Sequence, residues 1–235
     1  MLPIAILAGG FASRLHPLTH RVPKALLSVA GRPFIFHQLD LLSRAGIDRV
    51  VLCVGHLAEQ IEAAVGDGRA WGLTIQYSFD GPHLLGTGGC IRQALPLLGA
   101  EFFVAYGDSY GQCSFSDVAA AYRAAAQPAL MTVLRNDDRW GESNVLFREG
   151  RLIEYDKRSP RSDMKHIDFG VSILCRDVFG PYGGSQAFDL ADVYRTLSLA
   201  GRLAAFEVST RFYEIGSFSG LSETEAYLTG RSGRA

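Results

Sequence analysis

Cysteine is scarce and charge is almost balanced: 235 residues carry four cysteines, 23 Lys and Arg, and 24 Asp and Glu, a net charge of −1. Cys53, Cys90, Cys113 and Cys175 lie far apart without a C-x-x-C pair. That spacing excludes a disulfide scaffold and a clustered zinc site, and predicts reduced thiols. A charge so near zero gives no electrostatic grip on a nucleic-acid backbone, so no nucleic-acid partner is expected. No apolar run approaches the roughly 20 residues that cross a bilayer. Met1 to Leu7 lacks the basic flank of a secretory leader. The expectation is therefore a cytoplasmic protein without membrane contact. The six histidines show no H-x-x-x-H spacing, and G-x-S-x-G is missing, so a serine-nucleophile hydrolase has no support.

What is present is a rhythm of short apolar runs and helical patterns. Pro3–Leu7, Val50–Val54, Thr74–Phe79, Phe102–Tyr106 and Ala129–Leu134 read as strands. Between them, Pro33–Gly46, Leu57–Val65, Cys90–Leu98 and Ser116–Ala126 read as helices. This alternation predicts an α/β fold with a doubly wound, mostly parallel sheet covered on both faces. After Trp140 the rhythm changes. A hairpin is expected from Asn144–Phe147 and Arg151–Tyr155, then a strand at Phe169–Leu174, a helix at Leu190–Leu199 and a strand at Leu203–Val208. A last helix at Ser219–Leu228 precedes a Gly/Arg/Ser-rich tail, 229–235, expected to be mobile. With no repeat or linker, the chain reads as a single domain: a core over 1–135 and a C-terminal lobe over 136–228.

The richest stretch is Leu7-Ala8-Gly9-Gly10-Phe11-Ala12-Ser13-Arg14-Leu15, followed by Pro17-Leu18-Thr19 and Pro23-Lys24. Glycines after a buried strand let backbone amides turn toward phosphate oxygens. Arg14 adds a planar, doubly donating cation and Lys24 a mobile point charge. Neither the Rossmann glycine pattern nor the Walker pattern is met, because Phe11-Ala12 and Ser13-Arg14 stand at the deciding positions. Gly107-Asp108 follows the apolar strand Phe102–Tyr106, placing a carboxylate at a strand's carboxyl end, where parallel sheets gather ligands. Mg²⁺ needs only one or two such carboxylates, with phosphate oxygens and water completing its shell.

The full loop resembles the signature of sugar-1-phosphate nucleotidyltransferases, L-A-G-G-x-G-T-R-L-x-P-L-T followed by P-K. Ala12 and Ser13 depart from its glycine and threonine. The resemblance implies that Leu7, Ala8, Gly9, Gly10, Ser13 and Arg14 bind the nucleotide. In Leu84–Gly89, it implies a base-contacting role for Gly86, Thr87, Gly88 and Gly89, the last two leaving room for the base edge. Asp108 matches the metal aspartate. Glu214, in Phe212-Tyr213-Glu214-Ile215-Gly216-Ser217, stands where the family has a second aspartate and is one methylene longer. With Tyr213 and Ile215 toward the core, Glu214 is expected to face the cleft. Lys157 matches a lysine that holds the sugar-bound phosphate. Asp168 and Gly170 match a segment lining the sugar pocket, Gly170 leaving space for the ring, and Glu142 and Asn144 are further sugar contacts. Trp71 and Trp140 receive no role.

The implied activity transfers a nucleoside monophosphate from a nucleoside triphosphate to a sugar 1-phosphate, with Mg²⁺ as cofactor and Arg14, Lys24 and Asp108 as catalytic residues. Within the family the chain looks most like heptose 1-phosphate guanylyltransferases, using GTP, with muramic-acid 1-phosphate uridylyltransferases second. A cytidylyltransferase for a non-sugar phosphate or phosphonate and a non-catalytic nucleotide-sugar-binding homologue remain as alternatives. A homodimer is compatible with all of these.

Overall fold

The computed structural model describes residues 1–184 and 186–232. Nine strands form the main sheet: β1 (Ile4–Leu7), β2 (Arg49–Val54), β3 (Thr74–Phe79), β4 (Glu101–Tyr106), β5 (Ala129–Arg135), β6 (Val145–Arg148), β7 (Arg151–Tyr155), β8 (His166–Cys175) and β9 (Leu203–Val208). The helices are α1 (Phe34–Arg44), α2 (Ala58–Val65), α3 (Gly86–Leu98), α4 (Phe115–Ala125), α5 (Leu190–Leu199) and α6 (Phe218–Ser232). Strands β3, β2, β1 and β4 are parallel neighbours. β8 enters antiparallel beside β4 and also pairs with β5, whose other neighbour, β9, is parallel to it. The expected β6–β7 hairpin forms and joins the sheet through β8 at His166. The doubly wound parallel half is as expected, and antiparallel β8 makes the whole sheet mixed.

Side chains of a strand alternate between faces, and that alternation divides the interior in two. Ile4, Ile6, Val50, Leu52, Val54, Phe103 and Leu130 pack with residues of α1, α2 and α4. Their sequence neighbours Ala5, Val51, Cys53, Phe102, Val104 and Met131 pack on the other face with α3 and α5. Residues buried on both sides explain why these strands read as unbroken apolar runs. A smaller cluster of Val29, Phe34, Tyr110, Ile215 and Leu228 seats α6.

Three elements differ from the sequence expectation. α6 runs four residues further, to Ser232, so only 233–235 of the expected tail lie outside the described residues. β8 starts at His166 instead of Phe169. α3 starts at Gly86 instead of Cys90, so the glycine-rich segment is its first turn. Glycine is a poor helix former, and the reason for three of them here is tertiary. The carbonyl of Phe188 accepts from the amides of Gly88 (3.0 Å) and Gly89 (3.4 Å). A Cβ on Gly86 would lie 2.5 Å from that carbonyl oxygen, and one on Gly88 would overlap the Phe188 ring. Thr87 Oγ1 donates to Asp189 Oδ1 at 2.7 Å and accepts from the amide of Leu190 at 2.8 Å. The segment before α5 is thus strapped onto the start of α3, and Arg92 holds the strap further along through the carbonyls of Tyr182 and Gly183.

No helix among the described residues is long and apolar enough to cross a membrane.

The strap gives a stability test. Gly86 has φ +72° besides its contact with Phe188, so Gly86→Ala should destabilise by about 1–3 kcal/mol through overpacking and left-handed strain. At Gly10 an added Cβ would meet nothing within 4 Å, so Gly10→Ala should stay within about 0.5 kcal/mol. Urea unfolding of both proteins checks this; equal midpoints would mean that the strap yields freely.

Candidate active site

A cleft opens over the carboxyl ends of β1, β3 and β4, lined by Leu7 to Gly10, Lys24, Ala25, Asp80, Leu84, Gly86, Thr87, Cys90, Tyr106, Gly107, Asp108 and Lys157. Its first wall is the loop after β1. Gly9 lies against the backbone of Gly55, where a Cβ would come within 3.0 Å of the Gly55 nitrogen. Ala12 adopts φ 51°, ψ 43°, a left-handed conformation that suits the glycine usually found there. Buried Thr19 holds this bend by donating to the Ala12 carbonyl at 3.0 Å. Among the described residues no acceptor meets the amides of Gly10, Phe11 and Ala12, which leaves them as donors for an anion.

The second wall is built around Asp108. The amide of Gly107 donates to the Leu7 carbonyl at 3.0 Å, and a Cβ on Gly107 would lie 2.5 Å from that oxygen. Beyond Asp108, Ser109 and Tyr110 pair antiparallel with Tyr213 and Glu214 in a two-stranded ribbon, Glu214 opposite Ser109. Thus a residue 106 positions away in sequence becomes the neighbour of Asp108. Lys24 Nζ sits 2.6 Å from Asp108 Oδ2. Measured from the place a Cβ on Gly216 would occupy, Glu214 Oε2 is 2.5 Å away, Arg14 Nη2 3.2 Å and Asp108 Oδ2 3.4 Å. Two carboxylates and a guanidinium therefore converge above Gly216, with the Lys24 ammonium against one of the carboxylates.

Glu214 departs from the expected open pose. Its carboxylate accepts from the Gly216 amide and from Ser217 Oγ (2.7 Å), and Ser217 Oγ accepts from the Gly220 amide at 3.0 Å. It is anchored at the start of α6 instead of projecting freely, because negative charge is favoured at a helix N-terminus. A carboxylate has about four acceptor sites, so these contacts leave lone pairs for a cation. Among the described residues no three His, Cys, Asp or Glu side chains gather as a complete metal cage. Two hard-oxygen carboxylates beside a loop with unengaged amides nevertheless fit Mg²⁺, which usually retains water and phosphate in its shell.

Lys157, expected to hold an acceptor phosphate, is exposed and lines the cleft. Buried Asp156 sets its turn, accepting from the amides of Arg158 and Ser159 (both 2.9 Å) and from Arg195 Nε (2.8 Å). The hydrogen bond from Arg195 holds the Asp156 carboxyl below its ordinary range. Asp168 is less open than a sugar contact requires. Its Oδ1 accepts from the Gly170 amide (2.9 Å), and Tyr106 Oη donates to its Oδ2 (3.3 Å). Burial pushes the Asp168 carboxyl up to about 6, against the pull of the Gly170 amide, Lys157 and Tyr106. Asn144 uses its Oδ1 to accept the Asp168 amide at 3.0 Å, keeping this corner rigid.

Other expected contacts shift. Gly170 has φ +95°, and the place of its missing side chain is filled by Tyr106 and Ser109, not open to a sugar ring. Gly88 and Gly89 face Phe188 and Leu85 instead of a base edge, for the packing reason given above. Ser13 and Glu142 are exposed and outside the cleft lining. Conversely, Asp80, Leu84, Cys90 and Tyr106 line the cleft without having been singled out. Asp80 Oδ2 accepts from the Leu85 amide at 3.2 Å, and burial raises its carboxyl against that hydrogen bond. Its place at the carboxyl end of β3 was the available signal.

The family model for nucleotidyl transferases matches residues 4–142. The N-acetylmuramate alpha-1-phosphate uridylyltransferase of Neisseria meningitidis serogroup B is 44% identical over 122 residues, which is 52% of this chain and 52% of that protein. The mannose-1-phosphate guanyltransferase of Schizosaccharomyces pombe is 32% identical over 96% of this chain and 62% of its own length. The chain thus spans about half to three fifths of these relatives. HddC from Yersinia pseudotuberculosis, solved with GMP-PN, superposes with a TM-score of 0.81 at 20% identity, covering 97% of this chain and all of that one. At that identity the likeness shows the shared fold.

A pH series tests the buried carboxyl. Because the folded-state pKa of Asp168 is raised from 3.8 to about 6, its burial costs nothing below the unfolded value and weakens the fold as pH rises through 6. Asp168→Asn should therefore gain on the parent between pH 4 and pH 7, by on the order of 2 kcal/mol after allowance for partial exposure. Urea unfolding across that range reads the difference; a flat one would mean that Asp168 titrates as it does in water.

Proposed function

The chain belongs to the nucleotidyl transferase family, and from that premise we propose that it joins a sugar 1-phosphate to a nucleoside triphosphate, releasing pyrophosphate. The observation that carries this reading is the convergence on Asp108, which lines the cleft, of Lys24 from one side and of Arg14 and Glu214 above Gly216, beside a loop with unengaged amides. An oxygen of the sugar phosphate attacks the α-phosphorus in line, and the bond to pyrophosphate breaks. A phosphate monoester is anionic at neutral pH, so no general base is required. The work of the protein is to bring two anions together and to stabilise added negative charge.

Arg14 and the amides of Gly10 to Ala12 hold the leaving end of the triphosphate. Lys24 and Lys157, which line the same cleft, draw in the sugar phosphate. When bound, Mg²⁺ held by Asp108 and Glu214 supplies charge neutralisation at the phosphates. Lys24 rests against Asp108 Oδ2 at 2.6 Å, so its ammonium would have to move off or share that carboxylate when the metal binds, which frees it for a phosphate.

For base and sugar, the motif resemblance favours GTP and D-glycero-D-manno-heptose 1-phosphate. The 44% identity to an N-acetylmuramate 1-phosphate uridylyltransferase supports a second pair, UTP and that sugar phosphate. Pyrophosphate release should be measured with four nucleoside triphosphates against both sugar phosphates, mannose 1-phosphate and phosphocholine. Turnover with a sugar 1-phosphate supports the class and identifies the pair; turnover with phosphocholine alone would replace it with the non-sugar reading.

In the active combination, Asp108→Asn should retain its circular dichroism and lose at least about 100-fold in turnover, the scale of losing a directly placed catalytic charge. Retention of a tenth of parental turnover would remove Asp108 from the chemistry. Charged contacts to phosphate are each worth about 1.5–3 kcal/mol. Arg14→Ala should accordingly raise KM for the triphosphate and lower kcat, whereas Lys157→Ala should mainly raise KM for the sugar phosphate, each by roughly 10- to 150-fold. If Lys157→Ala changed only the triphosphate constant, its acceptor role would be wrong.

A further inference from the structure

Gln38 lies on α1, outside the cleft lining, and is 5% exposed. In a helix whose other buried residues are apolar, a buried amide needs a reason. Its Nε2 donates to two backbone carbonyls, of Tyr106 at 2.9 Å and of Ser109 at 2.8 Å. Those carbonyls flank the turn Gly107-Asp108 on either side. Because both partners are acceptors, only the nitrogen can face them, which settles the orientation of the amide. Its Oε1 is buried and meets no donor among the described residues, a cost to the fold that an apolar side chain would avoid.

The remaining backbone contacts of the turn come from other directions. The Gly107 amide is tied to the Leu7 carbonyl, and the Ile215 amide donates to the Asp108 carbonyl at 2.9 Å. Neither contact engages the carbonyls of Tyr106 and Ser109. Gln38 therefore governs the separation of the two ends of the turn, and with it the direction in which the Asp108 carboxylate leaves the backbone.

We propose that Gln38 is a positioning residue for Asp108, clamping the turn from beneath so that the carboxylate meets Glu214 at the cation site. This rests on the metal reading of the cleft given above. Supporting partners behind a metal ligand typically change affinity by about 10- to 100-fold, so a comparable effect is expected here although Gln38 touches neither metal nor substrate.

The test uses Mn²⁺ as the probe, binding measured by electron paramagnetic resonance on the parent, Gln38→Met, Gln38→Glu and Asp108→Asn, alongside Mg²⁺ titrations of turnover. Gln38→Met keeps the volume and removes both donors. It should bind Mn²⁺ about 10-fold more weakly, need correspondingly more Mg²⁺, and leave KM for the sugar phosphate unchanged. Gln38→Glu serves if the methionine variant does not fold. Ionised, it opposes both carbonyls; protonated, it restores one donor, so its Mn²⁺ affinity relative to the parent should recover as pH falls. Mn²⁺ binding lost in Asp108→Asn but kept at parental strength in the folded Gln38 variants would overturn the positioning role alone. Equal binding by the parent and Asp108→Asn would overturn the metal reading and this proposal together.

Discussion

Everything at the cleft depends on how the backbone of Gly107 and Asp108 is held. Four separate parts of the chain meet on this turn: the end of β1 through Leu7, helix α1 through Gln38, the loop before α6 through Ile215, and the side chain of Lys24. Three of these contacts are backbone or amide hydrogen bonds, individually modest in net energy. Their joint effect is geometric. A carboxylate that must cooperate with another residue over a distance of a few ångströms needs a rigid base more than it needs stabilisation. Gly107 is part of that rigidity, since β1 passes too close for any side chain.

The same logic explains the distribution of glycine around the site. Gly9, Gly86, Gly88 and Gly107 each lie where another backbone or ring occupies the space of a Cβ. They permit close packing between elements, whereas Gly10 faces open space and serves the cleft. Glycine-rich segments that look equivalent in sequence therefore do two different jobs. One leaves amides unengaged beside the cleft, the donors proposed here for a phosphate; the other lets the strap at Phe188 close over the start of α3. The second arrangement links the two halves of the protein, because Asp189 caps α5 through the amide of Ala191 and also accepts the Thr87 hydroxyl.

Charge in the site is mixed in sign instead of forming a single-sign field, consistent with a net charge of −1 for the chain. Lys24 faces Asp108, and Arg14 approaches Glu214 and Asp108. Under the function proposed above, a cleft that gathers two phosphates must carry cations, yet cations without partners would repel one another before substrate arrives. Pairing them with carboxylates that also suit a divalent ion resolves the conflict.

Sequence by itself determined the parallel half of the fold, because strands buried on both faces must be continuous apolar runs and helices between them must show a 3.6-residue period. It also pointed to the loop from Leu7 to Lys24, where glycines and cations stand within one stretch of chain, and separately to Asp108, which directly follows an apolar strand. Only the tertiary structure decided which glycines serve close packing, that Asn144 accepts the Asp168 amide while the Asp168 carboxylate is held by Gly170 and Tyr106, and that Glu214 is anchored at a helix start. It alone brought Asp80, Tyr106 and Gln38 into the account. Tyr106 and Gln38 owe their roles to partners distant in sequence, Tyr106 lying 62 positions from Asp168 and Gln38 68 and 71 positions from the carbonyls it binds, and no periodicity or local motif encodes a contact made across the fold.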